Sequence, residues 1–534
     1  MSAADGSVWA PFHQRVFRAI WIAQFVGNIG TWAQTVGAQW LMGDLGGGAF
    51  EVSLLQTATT LPVFLLVLPS GSLGDIVDRR RLLIVSQAIM LVGAGTLALL
   101  TFADATTPAL LLLLTATIGA GNALSAPTFS AVQPELVPRD EVPKAALLNG
   151  ASVNLARAIG PAIGGLLIAS VGPAGTFTLN AVSFVGVIAA LALWRRPPDR
   201  RPLGGEHLGA AMAAGLRYTR NAPPFRTVLA RSFVFILPAT ALWSLLAVLA
   251  RGPLQLDATG YGVLLGSVGI GAVIGTIVVI PRLRRKLTTN NLVTLGSVVY
   301  GVGLVALAVT DSIPLVIAEC AVTGMGWISV TSSVNAHAQL LLPNWTRARA
   351  LAFMNVTFQG GHAIGSVLLG ALAGAVSVQV AFGTAGVLEV AGAIAGAVWL
   401  TLPPLGDVES ARYWPDPNLE IEADPDSGPV LVTVEWRIDA SDSEHFAEAM
   451  TPLRRSRRQT GATRWGLFQD TADPAVFLET FTVDTWSEHM RQHLERGTVG
   501  DEELEARART FLDGEQTPRV RHLLWAYRTP SPHR

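Results

Sequence analysis

Long apolar runs separated by short polar turns fill the chain from Phe17 to about Leu402; beyond that point apolar residues alternate with polar ones and charge rises. Each run holds the ~20 apolar residues that a helix needs to cross a bilayer at 1.5 Å rise per residue. The runs predict twelve transmembrane helices, at 17–42, 52–76, 82–102, 108–133, 146–170, 174–194, 227–250, 260–281, 290–310, 314–337, 349–375 and 379–401. After Pro403 the period changes. "VLVTVEWRI" alternates as a strand, "SDSEHFAEAMTPLRRSRR" opens with a serine cap and has helical spacing, and "TRWGLFQD" and "AVFLETFTV" are strands around the turn "TADP". A second helix begins near "TWSEHMRQHLE" and "RVRHLLWAY" closes as a strand, a β-α-β-β-α-β order that fits a ferredoxin-like α+β module.

Composition strengthens the membrane reading. Half of the residues are hydrophobic and only 14% are charged, against roughly a quarter charged in soluble domains. The net charge of -1 averages two unlike parts and by itself says nothing about partners; no nucleic-acid partner is expected. The N-terminus lacks an early basic region and a short apolar stretch ending in a cleavage site, so the first span is expected to stay as a helix. Cys320 is the one cysteine, so no intramolecular disulfide forms.

Cationic residues then orient the spans, because loops on the cytoplasmic side retain Lys and Arg. Arg79, Arg80 and Arg81 follow the second span, Arg139 and Lys144 the fourth, Arg195, Arg196, Arg200 and Arg201 the sixth, Arg282, Arg284, Arg285 and Lys286 the eighth, and Arg347 and Arg349 the tenth. The intervening loops have none apart from Arg251. The expected topology is a multi-pass protein of the bacterial inner membrane with both termini cytoplasmic.

The chain also repeats itself at an offset of 205 residues: Pro138 matches Pro343, Ser152 matches Thr357, Gly160 matches Gly365 and Gly165 matches Gly370. Two homologous six-helix bundles are therefore expected around a central cavity. The boundaries are 1–195 for the first bundle, 196–225 for a basic linker with an interfacial helix near 205–220, 226–402 for the second bundle, 403–429 for a further linker and 430–534 for the cytoplasmic module.

On these residues the chain resembles the major facilitator superfamily across nearly all of 15–402. "GSLGDIVDRRRLL" is similar to that family's loop motif between the second and third spans, with Gly71, Leu73, Asp75, Arg79 and Arg80 matching and Asp78 standing where the family has glycine. The resemblance implies a gating latch that stabilises one face of the transport cycle; the plainer alternative is a positive anchor for the loop. "ARAIGPAIGG" resembles the fifth-span element of the superfamily's exporters, in which Pro161 kinks the helix and Gly160, Gly164 and Gly165 permit close packing. Ser366 replaces that proline in the second half. The stretch "NALSAPTFSAVQPELVPRDEVPKAALLNGASVNLARAIGP" together with the C-terminal module is similar to the branch that includes enterobactin exporters and related multidrug-efflux permeases. That implies proton-coupled export of a siderophore or a lipophilic drug-like molecule by alternating access, with lipid or nutrient transport as the alternative.

Ionisable groups inside spans are costly and are functional candidates. Arg157 lies roughly 18 Å into the fifth span at 1.5 Å per residue, so it faces a cavity or pairs with an acid. It is expected to organise the cavity or to contact an anionic group of the substrate, with a structural interhelical bond as the alternative. Glu389, Glu319 or His362 is expected to carry the coupling proton. Gln24, Asn28, Gln34, Gln39, Gln56, Asn122, Asn149, Asn154, Asn180, Asn355 and Gln359 either line the pathway or bond between helices. No G-x-x-x-x-G-K-[ST] loop is present, so ATP does not drive transport by this chain.

The C-terminal module resembles dimeric α/β domains of the antibiotic-biosynthesis monooxygenase type. The resemblance raises a rival reading, a membrane-tethered enzyme or small-molecule sensor, and a homodimer through the module. His489 and His493 share a helical face, but the zincin pattern needs His-Glu-x-x-His and a third ligand, and Met490 follows His489. A solvated or interface-forming face is the expectation, with no metal, no cofactor and no catalytic residue assigned. The partners expected are the lipid bilayer, a proton and a small-molecule substrate.

Overall fold

The computed structural model describes residues 7–194, 208–414, 424–512 and 517–526, and leaves the side chains of 68–76 and 208–211 aside. Its helices in chain order are α1 (Arg15–Asp44), α2 (Ala49–Ile76), α3 (Arg79–Phe102), α4 (Pro108–Val132), α5 (Val142–Val171), α6 (Pro173–Leu193), α7 (Leu208–Asn221) and α8 (Pro223–Arg251). They continue as α9 (Ala258–Ile274), a π-helical turn (Gly275–Val279), α10 (Ile280–Leu283), α11 (Thr289–Val309), α12 (Ile313–Leu341), α13 (Arg347–Ala375) and α14 (Val378–Trp399). Among the described residues eleven helical stretches are long and apolar enough to cross a membrane, with α9 to α10 counted as one. The helix α1 is 30 residues long but is not one of the eleven; Gln24, Asn28, Gln34 and Gln39 interrupt its apolar run.

Two compact units emerge, and the first takes in Leu229–Asn335, Met354–Leu402 and the chain up to α6. Within it the 205-residue repeat is visible as matched packing. A methyl on Gly160 would meet the Trp32 side chain on α1 at 2.5 Å, and its repeat partner Gly365 lies against Leu237 on α8, the residue 205 positions after Trp32. Likewise Gly165 abuts Ala258 and Thr259 at the start of α9, while Gly370 abuts Phe50 and Ser53 at the start of α2. Small residues let these backbones approach closely, which is the usual basis of helix association in lipid.

The second unit comprises Gly204–Val228, Ala336–Phe353 and Pro403–Arg534. Its core is the run β1 (Val430–Arg437), α15 (Ser443–Thr460), β2 (Arg464–Gln469), β3 (Val476–Val483), α16 (Trp486–Leu494), α17 (Val499–Arg509) and β4 (Arg519–Leu524). The sheet is antiparallel throughout, in the order β2-β3-β1-β4. Val430, Val432, Val434 and Trp436 alternate inward along β1 and pack with Phe446, Phe477 and Phe481, as a strand with one covered face requires.

Three features depart from the sequence expectations here. The second helical stretch is broken into α16 and α17, because Thr498 and Asp501 form a capping box that starts a new helix. Part of the expected 403–429 linker is built into the module: Ala411 donates its N–H to the Gly497 carbonyl, and Trp414 packs against the core and donates to Glu505 at 2.7 Å. The linker helix α7 lies against α15, with Ala214 and Tyr218 buried and Gln459 donating to the Asn221 carbonyl at 2.8 Å.

Candidate transport pathway

Inside the first unit, a cavity of about 270 Å³ is lined by residues of helices α1 to α6. Gln24, Asn28, Gln34, Gln39, Gln56, Asn122, Asn149 and Asn180 line it together with Gln87, Thr31, Thr59, Met90 and Phe129, and among the described residues no ionisable side chain borders it. Eight of the amides singled out from sequence therefore converge on one space, whereas Asn154, Asn355 and Gln359 are not among its lining. Some of these amides also bond between helices: Asn180 donates to Gln34 at 2.5 Å, and Gln39 donates to the Trp243 carbonyl at 2.8 Å while accepting from the Tyr261 hydroxyl.

Arg157 lies on α5. It finds no acid among the described residues; its guanidinium lies over the Trp32 ring, 5.5 Å from the centroid, with Nε buried and unbonded. A cation over an indole face is attracted by the ring quadrupole, so the charge is partly met without an ion pair. From Trp32 an aromatic chain runs into the second half: Trp32 to Trp243 (5.7 Å), Trp243 to Trp327 (5.1 Å) and Trp327 to His362 (5.9 Å) and Tyr300 (5.9 Å). His362 is buried and its Nδ1 lies 3.0 Å from the Thr240 hydroxyl.

The two candidate acids differ. Glu389 on α14 is 1% exposed, packs beside Gly301 on α11 and leaves Oε2 without a hydrogen bond. Glu319 accepts from Thr310 at 2.8 Å through Oε1, and its Oε2 is likewise unbonded.

Of the loop motif, Gly71, Leu73 and Asp75 lie outside the described side chains. Arg79 pairs with Glu135 at 2.8 Å and donates to the Ala131 carbonyl at the end of α4. Arg80 donates to the Leu191 and Ala192 carbonyls at the end of α6, both at 2.7 Å. Those carbonyls lack intrahelical partners, so a cation satisfies them and the helix dipole together. Asp78, the departure from the family pattern, accepts the Arg81 N–H at 2.9 Å and caps α3.

In the fifth-span element Gly160 and Gly164 face α1, while Gly165 faces α9, so the element packs two helices at once. Ser366, in place of the second proline, shares a 2.6 Å hydrogen bond with Thr57 on α2. Arg251, the lone cation among the loops expected to carry none, pairs with Asp44 at 2.7 Å.

Sequence reasoning passed over Arg231. It is 4% exposed and bonds the Gly396 carbonyl, the Leu400 carbonyl (3.1 Å), Asn290 (3.0 Å) and Thr294 (2.6 Å), so it closes the end of α14 much as Arg80 closes α6. An arginine inside an apolar window was the available signal.

In the second unit, Arg457 is buried between Glu479 (3.1 Å) and Glu505 (3.0 Å) and under the Trp414 ring at 4.6 Å. Burial alone would raise the Glu505 carboxyl, but Arg457 and the bonds from Trp414 and Arg509 outweigh it and hold it below the usual carboxylate range. Glu488 is likewise held low against burial, by Arg496 first and then by Arg217 and Arg491. The His489 and His493 face is neither solvated nor open: both residues are buried, and His522 from β4 joins them. Burial, then the neighbouring His522 and His493, push the His489 imidazole down to about 3.

Eleven apolar helical stretches among the described residues, internal repetition and an amide-lined cavity define a multi-pass membrane transporter. The family model of the transmembrane secretion effectors, within the major facilitator transporters, matches residues 6–530, and the chain belongs to that family. It is accordingly a transporter and not an enzyme. It is 26% identical over 408 residues to the multidrug efflux pump Tap of Mycolicibacterium fortuitum, a match covering 73% of this chain and 97% of that protein. It is 27% identical to the enterobactin exporter EntS of Shigella flexneri, over 69% of this chain and 87% of that one. Among solved structures, a bacterial homologue of the iron transporter ferroportin in an inward-facing state shares the fold, with a TM-score of 0.57, 16% identity and coverage of 72% of this chain and 99% of its own.

Proposed function

We propose that this protein exports a neutral or lipophilic, hydrogen-bonding small molecule across the bacterial inner membrane by proton-coupled alternating access, with twelve spans and both termini cytoplasmic. The observation that carries the reading is the cavity lining, which among the described residues consists of amides, hydroxyls and apolar side chains without an ionisable group. Such a surface offers donors and acceptors to a drug-like compound and no counter-charge to an anionic one. The names of the relatives, a multidrug pump and a siderophore exporter, agree with export. Glu389 is the acid proposed to carry the proton, since its buried carboxyl leaves an oxygen uncompensated. Arg157 is proposed to hold the junction of the halves through Trp32. Gly71, Leu73, Asp75, Arg79 and Arg80 are proposed to latch the cytoplasmic ends.

The C-terminal module is read as ferredoxin-like from its strand order. Self-association through its outward sheet face, where Leu431, Phe468 and Leu523 are exposed, is proposed with it; light scattering of the detergent-purified chain tests that, and a monomer refutes it. Export is tested in an efflux-deficient bacterium carrying the intact chain or Asp75→Asn, scored for growth against lipophilic toxicants and for siderophore secreted. Resistance with the intact chain alone supports the reading. Growth equal to an empty control at normal membrane expression refutes it.

A further inference from the structure

We propose that the C-terminal module holds a late first-row divalent cation of the zinc(II) class through the imidazoles of His489, His493 and His522. One ring nitrogen from each lies within 4.8 Å of the others, and the ring centroids are 4.9 to 5.9 Å apart. A tetrahedral ion with nitrogen at ~2.0–2.1 Å separates its ligand atoms by roughly 3.4 Å. Small side-chain rotations therefore bring the three into coordinating range.

The surroundings favour a ligand set over ordinary packing. His489 and His493 are one helical turn apart on α16 and buried, so both rings project from the same face. His522, on β4, is half-buried and opposite them. Both ring nitrogens of His489 and Nε2 of His522 are buried with no hydrogen-bond partner. Protein interiors seldom leave such atoms unmet, whereas a metal ion satisfies imidazole lone pairs directly. Trp486, 5.4 Å from His489, and Trp414, 4.7 Å from His493, wall the trio.

The helix carrying two of the ligands is also fixed from its other side. Gln492 donates to Thr460 at 3.0 Å, and Arg496, just beyond the helix, donates to the Thr460 carbonyl at 2.9 Å and pairs with Glu488 at 2.8 Å. A constellation held this way needs little rearrangement to bind. Three neutral imidazoles and no carboxylate select zinc, nickel or copper over calcium or magnesium. They leave a fourth position for water or another ligand. The site is independent of the transport reading, since it uses no residue of the membrane helices.

The test uses the full-length chain purified in detergent with a tag free of histidine, stripped with chelator, dialysed against zinc(II) and analysed for metal per chain. About one equivalent of zinc is expected, as for a dedicated site. It should be lost in His493→Ala and in His522→Ala and kept in His445→Ala, whose side chain is exposed elsewhere in the module. Cobalt(II) in place of zinc should give the visible absorption of a low-coordinate ion, absent in the two ligand variants. Elution of each variant at the position of the intact chain controls for folding; if His493→Ala aggregates, the half-buried His522 decides through His522→Gln. An intact chain that retains no zinc, or ligand variants that retain as much as the intact chain, would overturn the proposal.

Discussion

Asp78 gives a local departure from a family pattern a physical reason. The turn between α2 and α3 does not rely on glycine there; the aspartate instead accepts the Arg81 N–H and caps α3. Replacing it with alanine should cost about 1 kcal/mol, the usual value of a lost cap, read as a lower melting temperature of the purified chain. Gly165 is a stricter case. A Cβ there would come 2.7 Å from the Ala258 carbonyl oxygen, a backbone atom that cannot swing aside. Gly165→Leu should therefore abolish transport while leaving the chain in the membrane, and unchanged transport would refute the close α5 to α9 contact. Arg457→Met should be among the most destabilising changes in the module, because it strands Glu479 and Glu505 in the interior; losing one partner of a buried pair costs ~3–5 kcal/mol. Chemical denaturation followed by tryptophan fluorescence measures it.

Helices were legible because apolar length leaves few other solutions in a bilayer. The run at 108–133 becomes α4 at Pro108–Val132, and that at 349–375 becomes α13 at Arg347–Ala375. Strands were legible through alternation, as in β1. Three things were hidden. The break between α16 and α17 depends on a four-residue capping box inside a polar stretch, where periodicity is weak. His522 reaches α16 only through the pairing of β4 with β1, a relation that sequence spacing does not carry. The sequence marks Arg157 as a costly charge in a span, but its contact is the Trp32 ring, and no spacing rule announces a cation over an indole. The module's ion pairs also set its acid limit. The carboxyls of Glu505 and Glu488 are held below the ordinary glutamate value of about 4.5, so the unfolded chain takes up more protons as pH falls through that range. Their contribution is complete above about 4.5 and disappears below it. Unfolding of the module should become easier between pH 4.5 and more acidic values, and a flat stability profile there would contradict the pairing.

Across the whole chain, the repeat links sequence to mechanism. Gly160 and Gly365, and Gly165 and Gly370, make corresponding contacts from the two halves, and an inverted or parallel pair of bundles that can rock against each other is the general basis of alternating access. The position of Ser366 opposite Pro161 breaks that symmetry, with a hydrogen bond to Thr57 where the first half has a ring. Export through the amide-lined cavity is read by the accumulation of a fluorescent lipophilic dye in an efflux-deficient bacterium. Cells carrying the intact chain should accumulate less dye than cells carrying Glu389→Gln, and a proton uncoupler should erase the difference. Accumulation equal to the empty control, at matched amounts of chain in the membrane, would contradict the account.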